Sequence, residues 1–215
     1  MNKSTNTSQT TLLVVIFTTL LVTTTLSLYS IQTLVLNKSN IYNALSQTIT
    51  AKALSTVTIR EMPIWMLSLF TFQMVAIRSF AITICIIIGL YVANIEFKFW
   101  NIIKLTIAAQ FIFVLQYFAE LIWFLFISKT VTAEVLEQYN PFSFASILSI
   151  GNTQEWYYII LDKVNLFDIA FILFLPLLLN GIVNKTYLKN LLFVVATYGF
   201  GFLTWLLLVT LHSLF

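Results

Sequence analysis

The chain has 215 residues, of which 60% are hydrophobic and 9% charged, with a formal net charge of +3. A soluble domain carries about 25% charged residues, so this chain lacks the polar surface that water requires and must be coated largely by lipid. No basic cluster or stripe occurs, which argues against nucleic acid as a partner, and the single cysteine, Cys85, cannot close an internal disulfide.

A helix needs about 20 apolar residues to cross a bilayer. Five runs meet that length: residues 12–36, 64–93, 103–127, 164–183 and 188–214. The expected fold is all-α. It is a single domain, a polytopic transmembrane bundle of five helices with short amphipathic helices at the interface.

The first run has Lys3 before it and small residues near Ser27 and Ser30, features shared with a secretory signal peptide. One basic residue, an apolar run reaching Leu36 and no A-x-A site favour a retained helix. Between the first two runs, Ile41, Leu45 and Ile49 recur every four residues after Ser39. That spacing fits either a short interfacial helix or a solvated loop. The segment from 129 to 162 contains NPFSFASILSIGN, where Pro141 and Gly151 bracket a short apolar helix. Trp156, Tyr157 and Tyr158 follow and suit the headgroup level. With the N-terminus in the cytoplasm, Lys3, Lys98, Lys104, Lys185 and Lys189 lie inside on short segments. Lys38, Lys52, Arg60, Lys129 and Lys163 then lie outside on loops about twice as long. This favours a cytoplasmic N-terminus and an external C-terminus.

Arg78 stands inside the apolar run MVAIRSFAITIC. The second and third helices share a short turn, NIEFKFWNIIK, and must form an antiparallel hairpin. With the turn centred near Phe99, Arg78 lies 21 positions before it and Glu120 21 after, so the two charges are expected at one depth. From Asn94 to Arg78 is 16 residues, about 24 Å along a helix. The pair then lies below the outer boundary, where a guanidinium snorkels and an opposite charge lowers its cost. It is either an ion pair that sets the hairpin register or part of a binding site. Gln116 shares a helix face with Glu120 and extends the polar stripe. The second run is about 10 residues longer than one span needs, so its first part is expected along the interface, with Arg78 at the inward bend.

Catalytic motifs are missing. Cys85 sits among isoleucines, and His212 has no nucleophile in its sequence context. No metal-binding, phosphate-binding or nucleophile-elbow motif appears, so neither an enzyme nor a cofactor is expected. Asp162, Asn165 and Asp168 cluster where the fourth helix begins, and helix capping explains them. Pro176 should kink that helix and free a carbonyl for Asn180 or a neighbouring helix, a weak transport signature. Gly199 and Gly201 are expected to let helices approach closely.

Three stretches together resemble the bacterial Yip1 family of integral membrane proteins, over about residues 64–213. NIEFKFWNIIKLTIAAQFIFVL resembles its Phe-bearing basic turn and third helix. NPFSFASILSI resembles the external stretch before the fourth helix. KVNLFDIAFILFLPLLLNGIVNKTYLKNLLFVVATYGF resembles the closing pair of helices. The chain departs from the pattern at Asn165, often Asp in the family, at Ala170, often Trp, and at Asn94–Ile95, where Gly is usual. The resemblance implies five helices and a membrane role without a defined activity. Eukaryotic members contact Rab GTPases through a cytoplasmic N-terminal region. Only about 11 polar residues precede the first run here, so no GTPase partner is expected.

The functional expectation is a non-catalytic scaffold or adaptor in the bacterial inner membrane that organises lipids or other membrane proteins. The alternative is a small transporter or permease subunit, with a cavity lined by Arg78, Gln116, Glu120 and Asn180.

Overall fold

The computed structural model describes residues 3–35, 41, 62–127, 140–148, 156–183 and 186–214. Among them helices dominate, with no β-strand beyond one isolated bridge between Ser143 and Asn165. Helix α1 is Lys3–Ser30, prolonged by a π-helical turn at Ile31–Val35. Next come α2, Ile64–Val92, then α3, Phe99–Ala109, and α4, Phe111–Ile122, which ends in a π-helical turn at Trp123–Ile127. Two short helices follow, α5 at Phe144–Ile147 and α6 at Trp156–Lys163. Helix α7 is Leu166–Val183; α8, Tyr187–Val194, continues through a third π-helical turn, Val195–Gly199, into α9, Phe200–Leu214.

Five of these helical stretches are long and apolar enough to cross a membrane: Thr11–Val35, Ile64–Val92, Phe99–Phe126, Leu166–Val183 and Tyr187–His212. Their outer faces carry Phe70, Phe80, Phe126 and Phe200, all exposed, as expected where the surrounding solvent is hydrocarbon.

Helix α2 begins after Pro63, whose fixed φ and missing N–H suit a helix start. It ends in a Schellman arrangement. Asn94 takes a left-handed φ of 50°, the Ile95 amide donates to the Leu90 carbonyl at 3.0 Å, and the Asn94 amide donates to Tyr91 at 3.1 Å. Asparagine tolerates this conformation, so it does here what glycine does elsewhere. Ile95 and Leu90 pack into the same apolar cluster and close the turn.

The main core joins α2, α3, α4, α7 and the last helix through Ile86, Ile102, Phe113, Phe171, Leu175 and Tyr198. Helix α1 is fastened to the opposite flank, where Leu20 meets Val75, Ile107 and Val114, and Ile31 and Val35 meet Phe124. Close approach of α2 to the last helix depends on two glycines. A methyl at Gly89 overlaps Thr197 and Phe193, and one at Gly201 comes within 2.8 Å of Cys85 Sγ. Gly201 thus has the packing role expected of it. Gly199 has no interhelical neighbour at that range, and Gly89 is the glycine that sequence reasoning missed.

One expectation is corrected. Helix α2 runs unbroken through Arg78 for 29 residues, so Arg78 marks no bend. Its apolar outer face continues on both sides of Arg78, with nothing to interrupt the backbone ladder. The third span carries one local irregularity. At Gln110 the amide bonds three residues back, to Ile107 at 3.1 Å, and α4 restarts at Phe111. The expected interfacial helix around Ser39, Leu45 and Ile49 lies outside the described residues, as do Gly151, Lys38, Lys52, Arg60, Lys129 and Lys185. Of the stretch near Pro141, one helical turn is present, α5, where Ser143 Oγ accepts from the Ser146 amide at 3.2 Å.

Candidate functional site

The turn between α2 and α3 decides what faces Arg78. Helix α2 ends at Val92 and α3 starts at Phe99, so the hairpin centre falls between Ile95 and Glu96. Reflection about that point takes position 78 to 113, since 92 + 99 − 78 = 113. The structure agrees: the guanidinium carbon of Arg78 lies 4.0 Å from the ring centroid of Phe113. This is a cation–π contact in a desolvated setting, worth about 2 kcal/mol. Thr83 and Thr106, bonded hydroxyl to hydroxyl at 2.8 Å, lie within two residues of that register.

The expected pairing of Arg78 with Glu120 is therefore not formed. Placing the turn centre at Phe99 moved the register by about seven residues, or about 10 Å of helix. Glu120 is buried and accepts a hydrogen bond from Gln116 Nε2 at 2.8 Å, so the two polar residues on α4 satisfy each other. Tyr117, on the same helix, is near enough to both Arg78 and Glu120 to feel their charges. Asn180 is exposed on α7 and joins neither group. The Leu173 carbonyl, one residue beyond the one Pro176 frees, accepts from the Tyr187 hydroxyl of the neighbouring helix at 3.1 Å.

Asp168 has two surroundings. On one side it completes a reciprocal helix cap. Asn165 Oδ1 accepts from the Phe167 amide at 2.9 Å, and Asp168 Oδ2 accepts from the Asn165 amide at 3.0 Å. The cap is tied to the NPFS segment, because Asn165 Nδ2 donates to Asn140 Oδ1 at 2.7 Å. Backbone bonds lock the same junction, from Phe144 N to Val164 O and from Leu166 N to Phe142 O, both 3.0 Å.

On its other side Asp168 lines a cavity of about 450 Å³ between α2, the start of α7 and the last helix. Arg78, Cys85, Lys163, Tyr198 and Trp205 share that lining. Arg78 acts electrostatically on Asp168 and Tyr198 across it. Lys163 is ion-paired with its neighbour Asp162 at 2.9 Å. The Arg78 guanidinium has no hydrogen bond or ion pair among the described residues; the Phe113 ring is its one direct contact partner there. Sequence reasoning missed Phe113, Tyr198 and Trp205. A turn centre placed between Ile95 and Glu96 would have found Phe113.

A second, much smaller space of about 10 Å³ lies on the α1 side of Arg78, lined also by Thr24, Gln110 and Tyr117. Gln110 is 2% exposed, and its Nε2 has no hydrogen-bond partner. Among the described residues no three His, Cys, Asp or Glu side chains gather as metal ligands do. No family model, curated protein or solved structure matches the chain.

Proposed function

We propose that this chain is a non-catalytic integral membrane protein, Yip1-like in its helix pattern, that organises lipids within the bilayer. The observation that carries the reading is the cavity of about 450 Å³, which opens among apolar spans yet holds an arginine without an acceptor. An intramembrane guanidinium is costly unless something neutralises or hydrates it, so such a residue marks a place where a polar group binds. Amphiphilic molecules bring that group and an apolar body together.

The transport reading needs Arg78, Gln116, Glu120 and Asn180 around one water-filled path. Their separation into a cavity wall, a bonded pair on α4 and an exposed position on α7 supports the lipid reading instead. The setting we assign is the bacterial inner membrane, with the N-terminus cytoplasmic. Support comes from Lys98 and Lys189, which flank the two short turns at one end of the bundle.

The test is purification of the full chain from native membranes in mild detergent, followed by mass spectrometry of what remains bound. Stoichiometric lipid supports the proposal. A preparation that holds no lipid, or that instead binds a small polar solute reversibly, overturns it.

A further inference from the structure

The cavity beside Arg78 carries a charge pattern that discriminates between lipids, and this inference rests on the lipid-organising reading given above. Two opposite charges face the space with unused bonding capacity. The Arg78 guanidinium, with five N–H donors, has only the Phe113 face among the described residues. Asp168 commits Oδ2 to the Asn165 amide, and its other oxygen accepts no bond there. The two do not approach within 4 Å of each other, since the one ion pair among the described residues is Lys163–Asp162. That pair offsets the charge of Lys163, the remaining charged lining residue, at the exposed edge of the space. The site thus offers one cation and one anion, separated by a gap.

The volume falls within the range of small-ligand pockets, roughly 300–1,000 Å³. The rim shows which medium supplies the occupant. Ile77 is 61% exposed and Trp205 47% exposed, and both belong to membrane-crossing stretches. The mouth therefore opens toward acyl chains, with Met74, Ala81 and Phe202 adding apolar lining beside the charges.

We infer that this cavity binds a phospholipid whose head group carries both a phosphate and a primary ammonium, the phosphate at Arg78 and the ammonium at Asp168. A purely anionic head meets Arg78 but sets negative charge against Asp168. A choline head balances the charge, but its methylated nitrogen has no N–H to give the free Asp168 oxygen. A primary ammonium supplies the donors that oxygen lacks, and a phosphate supplies the acceptors that Arg78 lacks.

The experiment is native mass spectrometry of the full chain after equilibration with an equimolar mixture of phosphatidylethanolamine, phosphatidylcholine and phosphatidylglycerol of identical chains. The wild type is expected to retain phosphatidylethanolamine about tenfold over the other two, the scale of one charge-assisted hydrogen bond. Asp168→Asn keeps an acceptor for the Asn165 amide while removing the charge, and is expected to abolish that preference. Arg78→Gln is expected to weaken retention of all three lipids. Ala81→Phe fills the space without touching either charge and should do the same, so the inference stays decidable if the Arg78 variant fails to fold. Equal retention of the three lipids by the wild type, or an unchanged preference in Asp168→Asn, overturns the inference while leaving lipid binding in place. Retention of no lipid overturns both readings. Displacement of the lipid by millimolar soluble phosphoethanolamine shows that the free zwitterion is the ligand, and overturns the lipid assignment.

Discussion

At the head of α7, Asn140, Ser143, Asn165 and one oxygen of Asp168 exchange hydrogen bonds, while the other Asp168 oxygen is left to the cavity. Across the cavity, Arg78 rests on an aromatic ring with no acceptor among the described residues. Within a bilayer an unpaired polar group costs several kcal/mol. The first cluster is therefore read as structure and the second as an incomplete interaction. The difference teaches that polarity inside a span is not itself a functional signal. What distinguishes a site from a cap is bonding capacity left over.

Substitutions test that contrast through opposite effects on stability. The largest loss is expected at Asn165. Asn165→Leu leaves the Phe167 amide and the Asn140 carboxamide without their partners, at a cost of about 2–4 kcal/mol, read as a lowered thermal midpoint in detergent. Gln116→Leu should follow, at about 1.5–3 kcal/mol, because it strands the buried Glu120 carboxyl; the same melt measures it. Thr83→Val is expected to cost about 0.6 kcal/mol, the average for an interhelical bond in a membrane protein. Thr106 keeps a second bond, to the Ile103 carbonyl at 3.0 Å, which limits the loss. The smallest effects are expected on the incomplete side. Gln110→Leu removes a buried donor that has no partner, and should be neutral or stabilising in the same assay. A loss at Gln110 larger than at Asn165 would invert the contrast.

How much of this was legible beforehand follows from what sets each feature. Apolar length alone sets the spans, so residues 64–93 and 164–183 were read to within two residues of α2 and α7. The capping role of Asp168 was legible because a reciprocal cap is local, spanning three residues. Hairpin register was not, because it depends on where a turn begins, and the Schellman end at Asn94 is set by a backbone conformation that composition does not report. That one displacement assigned Glu120 to Arg78 in place of Phe113. The cavity was invisible for a different reason. Arg78, Asp168 and Trp205 come from three spans, and no pattern within one helix brings them together. The irregularity at Gln110 had no proline or glycine to announce it.

The lengths of the helices also bear on the bilayer around them. Helix α2 has 29 residues, about 43 Å of rise, while α7 has 18, about 27 Å. A hydrocarbon layer of about 30 Å cannot match both when both stand upright. The long helix must lean or lift its ends out of the layer, and the short one must draw the lipid surface toward it. The bilayer is therefore drawn thinner beside α7 than beside α2, and the protein prefers regions of membrane that are already slightly thin.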